Sequence, residues 1–416
     1  MHRFVLFVLM FFFLSHSQVQ REVMPPYNIK TITFMQGDKN VVPIFRLNDA
    51  FSLEFDDLYA TEANYYYKII HCDYDWKKSQ LVPVEYLGGV DNQRIITYYN
   101  SRNTLQSFSH FKLSIPNSFT TRLKVSGNYL VEIYNNDEEL VFSRKFIIYE
   151  DIVQVPIQVR SARDVRVVNQ KHNLDFIVKP GDFLLQNPIK NIKLNIFKNG
   201  MINQGIMNVK PMFTLANDLV YRYDKETQFW GGNEFMFFDT KDIRGNIGNV
   251  AFVDSQSGDL YKMYLFTNVP RSKFPYTFLP DINGNFVIQN VMAQQTFATE
   301  SDYTWIKFSL KSDKYADRDV FVSGLFSNFA NTDEFKMTYN DKDGNYELYL
   351  LMKQGVYNYQ YTLVDRKGKV DDENAIDGNF FQTENDYYVM VYYRADNDRF
   401  DRVIGKGVGT SLNIVK

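Results

Sequence analysis

The chain has 416 residues, 45% of them hydrophobic and 23% charged, a composition that supports packed cores and excludes a disordered chain. Its length suits about two to four domains. A formal charge of −3 is too near neutral for a nucleic-acid or anionic-lipid footprint, and no dense Lys/Arg block appears.

Residues 1–17 read as a secretory signal peptide. Met1-His2-Arg3 is a short basic start, Phe4 to Leu14 is an uninterrupted apolar run, and Ser15-His16-Ser17 offers small residues before a cut at Gln18. The apolar run is about half the length a membrane-spanning helix needs, and no later run approaches it. Cys72, the one cysteine, lies too far from that run to be acylated as a lipoprotein cysteine. Alone it also forms no disulfide framework, so the domains depend on core size. Aromatic residues reach 16%, with 36 Phe and 29 Tyr, which favours strands; apolar residues at helical spacing are nearly absent.

A first domain is expected over residues 28–150. In Ile29-Lys-Thr-Ile-Thr-Phe34, Ile32 and Phe34 share one face and Thr31 and Thr33 the other, the alternation of a half-buried strand. Strands follow at Phe51–Phe55, Tyr65–His71, Thr97–Tyr99, His110–Ile115, Asn128–Tyr134 and Leu140–Tyr149, separated by Gly88-Gly89, Pro116-Asn117, Ser126-Gly127 and Asn135-Asn136-Asp137. The pattern predicts an antiparallel sandwich of immunoglobulin type.

A middle domain over residues 151–299 is less regular. Its strands are expected at Ile157–Ser161, Asn173–Val178, Ile192–Phe197, Leu219–Tyr223, Glu234–Phe238 and Leu260–Thr267, joined by long loops of the kind that serve as contact surfaces. A C-terminal domain over residues 300–416 carries strands at Tyr303–Leu310, Val320–Phe326, Phe335–Tyr339, Tyr346–Leu351, Tyr357–Val364, Tyr387–Tyr393 and Val403–Val408. Asp341-Lys-Asp-Gly344 predicts a tight hairpin turn between two of them. The expected fold is all-β: tandem antiparallel immunoglobulin-like (E-set-type) β-sandwich domains after a cleaved signal peptide.

Catalytic patterns are wanting. His71 and Cys72 are strand neighbours and point to opposite faces, so they cannot work as a base and nucleophile pair. The expected arrangement puts Cys72 in the core, His71 on the other face, and Asp73 and Asp75 in a turn. After the leader only His71, His110 and His172 remain, and no Cys-x-x-Cys occurs, which argues against structural zinc. Asp281-Ile-Asn-Gly-Asn285 and Asp341-Lys-Asp-Gly-Asn345 lack the glutamate that completes a calcium loop and read as turns. Phosphate-binding glycine motifs and the Gly-x-Ser-x-Gly elbow are absent. No catalytic, metal or cofactor residue is expected.

The stretches Val320–Phe329 and Gln354–Tyr361 look like sandwich modules appended to glycogen- and starch-handling enzymes. Those modules grip glucose with paired tryptophans. Here Phe329 follows Asn328, and Trp305 lies on an earlier strand, so the framework is present without the sugar platform.

Three segments, Tyr65-Tyr-Tyr-Lys-Ile-Ile-His-Cys-Asp-Tyr-Asp-Trp76, Asn103–Leu113 and Ser126–Tyr134, resemble the first domain of the type IX secretion system plug proteins. Lys353–Tyr361 resembles the last domain of the same family. Phe329 departs from the tryptophan expected in its loop. The resemblance implies a periplasmic, non-enzymatic protein that caps the inner mouth of a large outer-membrane β-barrel translocon and keeps its lumen sealed. It implies no cofactor, no nucleic acid, no direct membrane insertion and no small-molecule substrate, and it assigns no contact residues. The alternative is a glycan-binding or adhesin-like envelope protein. A membrane barrel is disfavoured, because the strands are short and interrupted by charges such as Lys336, Glu347 and Arg394.

Overall fold

The computed structural model describes residues 18–255, 260–412 and 414; the expected signal peptide, residues 1–17, lies outside the described residues. The chain is all-β. Among the described residues the α-helical segments are single turns of four residues, Pro83–Tyr86, Pro188–Asn191 and Phe297–Glu300. Among the described residues no helix is long and apolar enough to cross a membrane.

The first sandwich faces two five-stranded sheets. One has the order Lys39–Asn40, Ile29–Gln36, Phe51–Asp57, Ser109–Ile115, Thr97–Asn100; the other runs Ile44–Arg46, Leu140–Tyr149, Gly127–Tyr134, Tyr66–Cys72, Gln93–Arg94. Alternating apolar residues of both sheets meet between them: Phe55, Phe111, Tyr129, Phe142 and Phe146 are buried there, with Phe55 and Phe111 stacked at 5.3 Å. Sequence alternation is enough to put these rings inside. It does not reveal Ile44–Arg46, which pairs parallel to Leu140–Tyr149.

The expected division at 299/300 is not where the sheets divide. Ile192–Lys198 pairs with Asp386–Tyr393, which pairs in turn with Arg402–Thr410. This sheet packs on Ile157–Ser161, Lys171–Val178, Asp218–Tyr221 and their neighbours, around Leu174, Leu194, Tyr221, Val389 and Val391. Between its two portions the chain builds a further sandwich. Met236–Asp239, Gly355–Asp365 and Phe286–Ile288 form one sheet, with Arg318–Ser323 also on Gly355–Asp365. Val250–Asp254, Lys262–Leu265, Tyr303–Lys311, Asn345–Lys353 and Thr338–Asn340 form the other. Their core holds Phe238, Ile306, Phe308, Val320 and Tyr359. The third sandwich is therefore inserted in the second. The reason is physical: Tyr387–Tyr393 is apolar on both faces, and a strand buried on both faces needs a central place in a sheet. It finds that place between Ile192–Lys198 and Arg402–Thr410.

Candidate interaction surface

Buried polar bonds weld the three sandwiches together. Between the first and third, the fully buried Asp56 carboxylate accepts from Lys353 Nζ at 2.6 Å, Tyr303 OH at 2.7 Å and His110 Nδ1 at 2.7 Å. Burial works to raise the Asp56 carboxyl, but the Lys353 ammonium and His110 overcome it and hold it below the usual carboxylate range. Beside it, burial of Glu54 is likewise overridden by hydrogen bonds from His110 and Lys112, which hold it at about 2. The Asp302 carboxylate accepts backbone N–H bonds from Leu105 and Gln106 across the same seam.

Between the first and second sandwiches, Arg394 donates to Asp73 at 2.7 Å, and Asp401, held within the second sandwich by Arg394 at 2.9 Å and Lys193 at 3.1 Å, accepts the Tyr74 N–H at 3.2 Å. Arg402 pairs with Glu150 at 2.7 Å. Apolar contact closes the same seam, with Cys72, Trp76 and Ile147 packed on Phe197, Met390 and Tyr392.

That packing corrects the expected place of His71. Strand Tyr66–Cys72 is covered on both faces. Cys72 faces the seam, while His71, 1% exposed, sits in the first core and hydrogen-bonds Ser79 Oγ at 2.8 Å and Ser126 O at 3.2 Å. Burial pushes the imidazole down to about 4 and the Cys72 thiol up to about 12, so neither is a base or a nucleophile near neutral pH.

The two acidic loops are turns. Asp281 Oδ1 accepts the Asn283 N–H at 2.7 Å and Gly284 has φ +81°; Gly344, at φ +65°, closes the hairpin of Thr338–Asn340 and Asn345–Lys353. No group of three or more metal-ligating side chains occurs among the described residues. Phe329 is buried against Phe235 and Met201, so the residue standing where a tryptophan was expected is packing. An aromatic row does cross the outer face of the third sandwich: Phe252, Tyr264 and Tyr349, with Lys307 between the last two. The rings cross at 45° and 87°, which leaves no flat platform for a sugar.

One stretch of the chain is rich in exposed apolar residues. Phe266, Phe274, Phe278, Val291 and Met292 are each at least 50% exposed, and Ile247, Val269, Val287 and Phe297 add to them. Between Leu265 and Phe297 the chain has only the turn Arg271–Lys273 and the short strand Phe286–Ile288, so few ladder bonds hold it. Side chains do so instead. Asn268 Oδ1 accepts from Tyr359 OH at 2.9 Å and Tyr361 OH at 2.8 Å. Arg271 donates to Asp377 Oδ1 at 2.9 Å and to the Glu234 carbonyl at 2.7 Å. The Tyr276 hydroxyl donates to the Glu234 carboxylate, which burial has pushed up to about 7. The apolar side chains are thus presented outward by a loop pinned from beneath, an arrangement suited to binding a protein surface. Long loops over this region were legible in the sequence; the apolar residues in them were not separable from core residues by composition alone.

Residues 29–150 match the family model described as "Type 9 secretion system plug protein 1st domain". A hypothetical protein from Parabacteroides merdae ATCC 43184, known from a crystal structure, is 29% identical, with a TM-score of 0.89 over 94% of this chain and 98% of that one. No curated protein matches. The whole three-sandwich body, insertion included, thus has a counterpart among solved structures, and its first sandwich, residues 29–150, is a first domain of the type IX secretion system plug protein family.

Proposed function

We propose that the chain is a periplasmic plug subunit, exported by its leader, that caps the periplasmic opening of the outer-membrane type IX translocon and prevents leakage through its pore. The observation that carries this reading is the plug-family first domain at residues 29–150. The welded seams support it, because a stopper must resist deformation, and ion pairs such as the buried Asp56–Lys353 and the part-buried Asp73–Arg394 tie each sandwich to another. The pinned apolar stretch from Phe266 to Phe297 supplies a surface to set against the barrel's rim. No bond-making step is needed.

Capture on the tagged chain from detergent-solubilised envelopes is expected to recover a large outer-membrane β-barrel protein, and deletion of the gene to admit large antibiotics in a translocon-dependent way. Capture of no barrel protein, together with an equally tight envelope after deletion, would overturn the reading. Binding on a polysaccharide array would favour the glycan-binding alternative instead.

A further inference from the structure

The three sandwiches meet around a cleft of about 370 Å³. Val42 and Ile44 enter it from the first sandwich, Asp386 and Tyr388 from the second, Ile282 and Leu325 from the third. Two features of local geometry shape it. Gly200 has φ +73°, and a Cβ there would stand 2.6 Å from Val42 Cγ2, so the neighbouring turn comes this close only as glycine. The loop from Asp281 to Asn285 is tied to the first sandwich by Asn40 Nδ2 to Asn285 Oδ1, 3.0 Å.

The cleft carries a carboxylate without a cation. Asp386 accepts one side-chain hydrogen bond, from Asn283 Nδ2 at 3.2 Å, and among the described residues no lysine or arginine forms an ion pair with it. Burial raises its carboxyl above the usual range, with only the Asn283 amide opposing. The one cationic side chain lining the cleft is Lys406; its Nζ lies 4.4 Å from the Tyr149 ring centroid and forms no ion pair with Asp386. Asn283 Oδ1, covered by its surroundings, accepts no hydrogen bond. A half-buried carboxylate is costly unless paired, and here the complement is missing while Val42, Ile44, Ile282 and Leu325 make part of the wall apolar. The group that satisfies both conditions has a hydrocarbon stem and a cationic head.

We propose that this cleft receives an arginine or lysine side chain of a protein partner, with Asp386 taking the cationic head, Tyr388 flanking it, and Val42, Ile282 and Leu325 covering the stem. The identity of that partner as the capped translocon rests on the capping reading; the chemistry of the cleft does not.

The test is an NMR titration of the full chain with N-acetyl-arginine methylamide, N-acetyl-lysine methylamide and the neutral N-acetyl-norleucine methylamide. At least one basic probe is expected to bind about tenfold or more tighter than norleucine, about the 1.4 kcal/mol that a tenfold ratio represents. Its shifts should centre on Asp386 and Tyr388. Asp386→Asn, which keeps the side chain's shape and its hydrogen-bonding reach, should abolish the discrimination. Ile282→Ala, at an exposed position, should weaken both the basic and the neutral probes alike. Equal binding of all three probes by the wild-type chain, or undiminished preference in Asp386→Asn, would overturn the proposal. A selective cleft in a chain that captures no barrel protein would sink the capping reading alone and leave the basic anchor standing.

Discussion

Replacing Lys353 by methionine keeps the aliphatic stem and removes the ammonium from a site where its partner cannot reach water. Both side chains are essentially buried, Lys353 at 1% and Asp56 at 0% exposure, and Nζ lies 2.6 Å from Oδ2. Removing one member of such a pair strands the other, a loss of about 3–5 kcal/mol. His110 and Tyr303 still donate to Asp56, so the lower end of that range is expected. The assay is urea unfolding followed by tryptophan fluorescence, where Trp305 reports on the third sandwich and Trp76 on the seam between the first two. The transition that separates the first sandwich from the third should move to lower urea. Asp56→Asn combined with Lys353→Met removes both charges, and the pair should cost less than the two single changes summed. A loss below about 1 kcal/mol for Lys353→Met, or strict additivity in the double variant, would refute the claim that this seam is held by a buried charge pair.

The remaining outcomes follow from particular residues. Burial holds both His71 and His172 down at about 4, against an ordinary 6.5, so each contributes stability that is whole above about pH 6.5 and drains as pH falls toward 4, about 3 kcal/mol apiece by linkage. His172→Gln should flatten that acid limb in a pH series of urea midpoints. Glu234 acts in the opposite sense. Its carboxyl is raised by burial to about 7 from an ordinary 4.5, so its contribution is whole below pH 4.5 and lost as pH rises to 7; Glu234→Gln should reduce that slope. Gly200→Ala places a Cβ at 2.6 Å from Val42 at a left-handed backbone position, and roughly 1–3 kcal/mol should be lost, read as a lower thermal midpoint. Cys72 is fully buried, and a thiol reagent should modify it only at the rate of unfolding, measured by mass spectrometry against time in urea.

The strands were legible because a sandwich writes its core as alternation. Ile157–Ser161 and Leu140–Tyr149 stand where the sequence places them, and the hairpin at Asp341–Gly344 closes as expected. Pairing partners distant in sequence were not legible. Nothing local in Ile192–Lys198 says that its neighbour lies nearly two hundred residues on; that depends on which apolar strands fit face to face, and so the insertion of the third sandwich into the second was invisible. The short strands Phe213–Leu215 and Phe286–Ile288 carry too few residues for a period to show. The seam residues escaped for a different reason. Asp56 and Lys353 look like ordinary strand-end charges, and only tertiary packing makes them a buried pair. His71 and Cys72 were separated by strand geometry as expected, yet both proved buried, because a second sandwich covers the face that a lone domain would leave to solvent.

The capping claim is tested most directly by conductance. With the outer-membrane translocon purified and inserted in a planar bilayer, addition of this chain on the periplasmic side alone should close the open pore, and washing it out should restore the current. An unchanged open-pore current with the chain in excess and bound to the barrel would contradict the account.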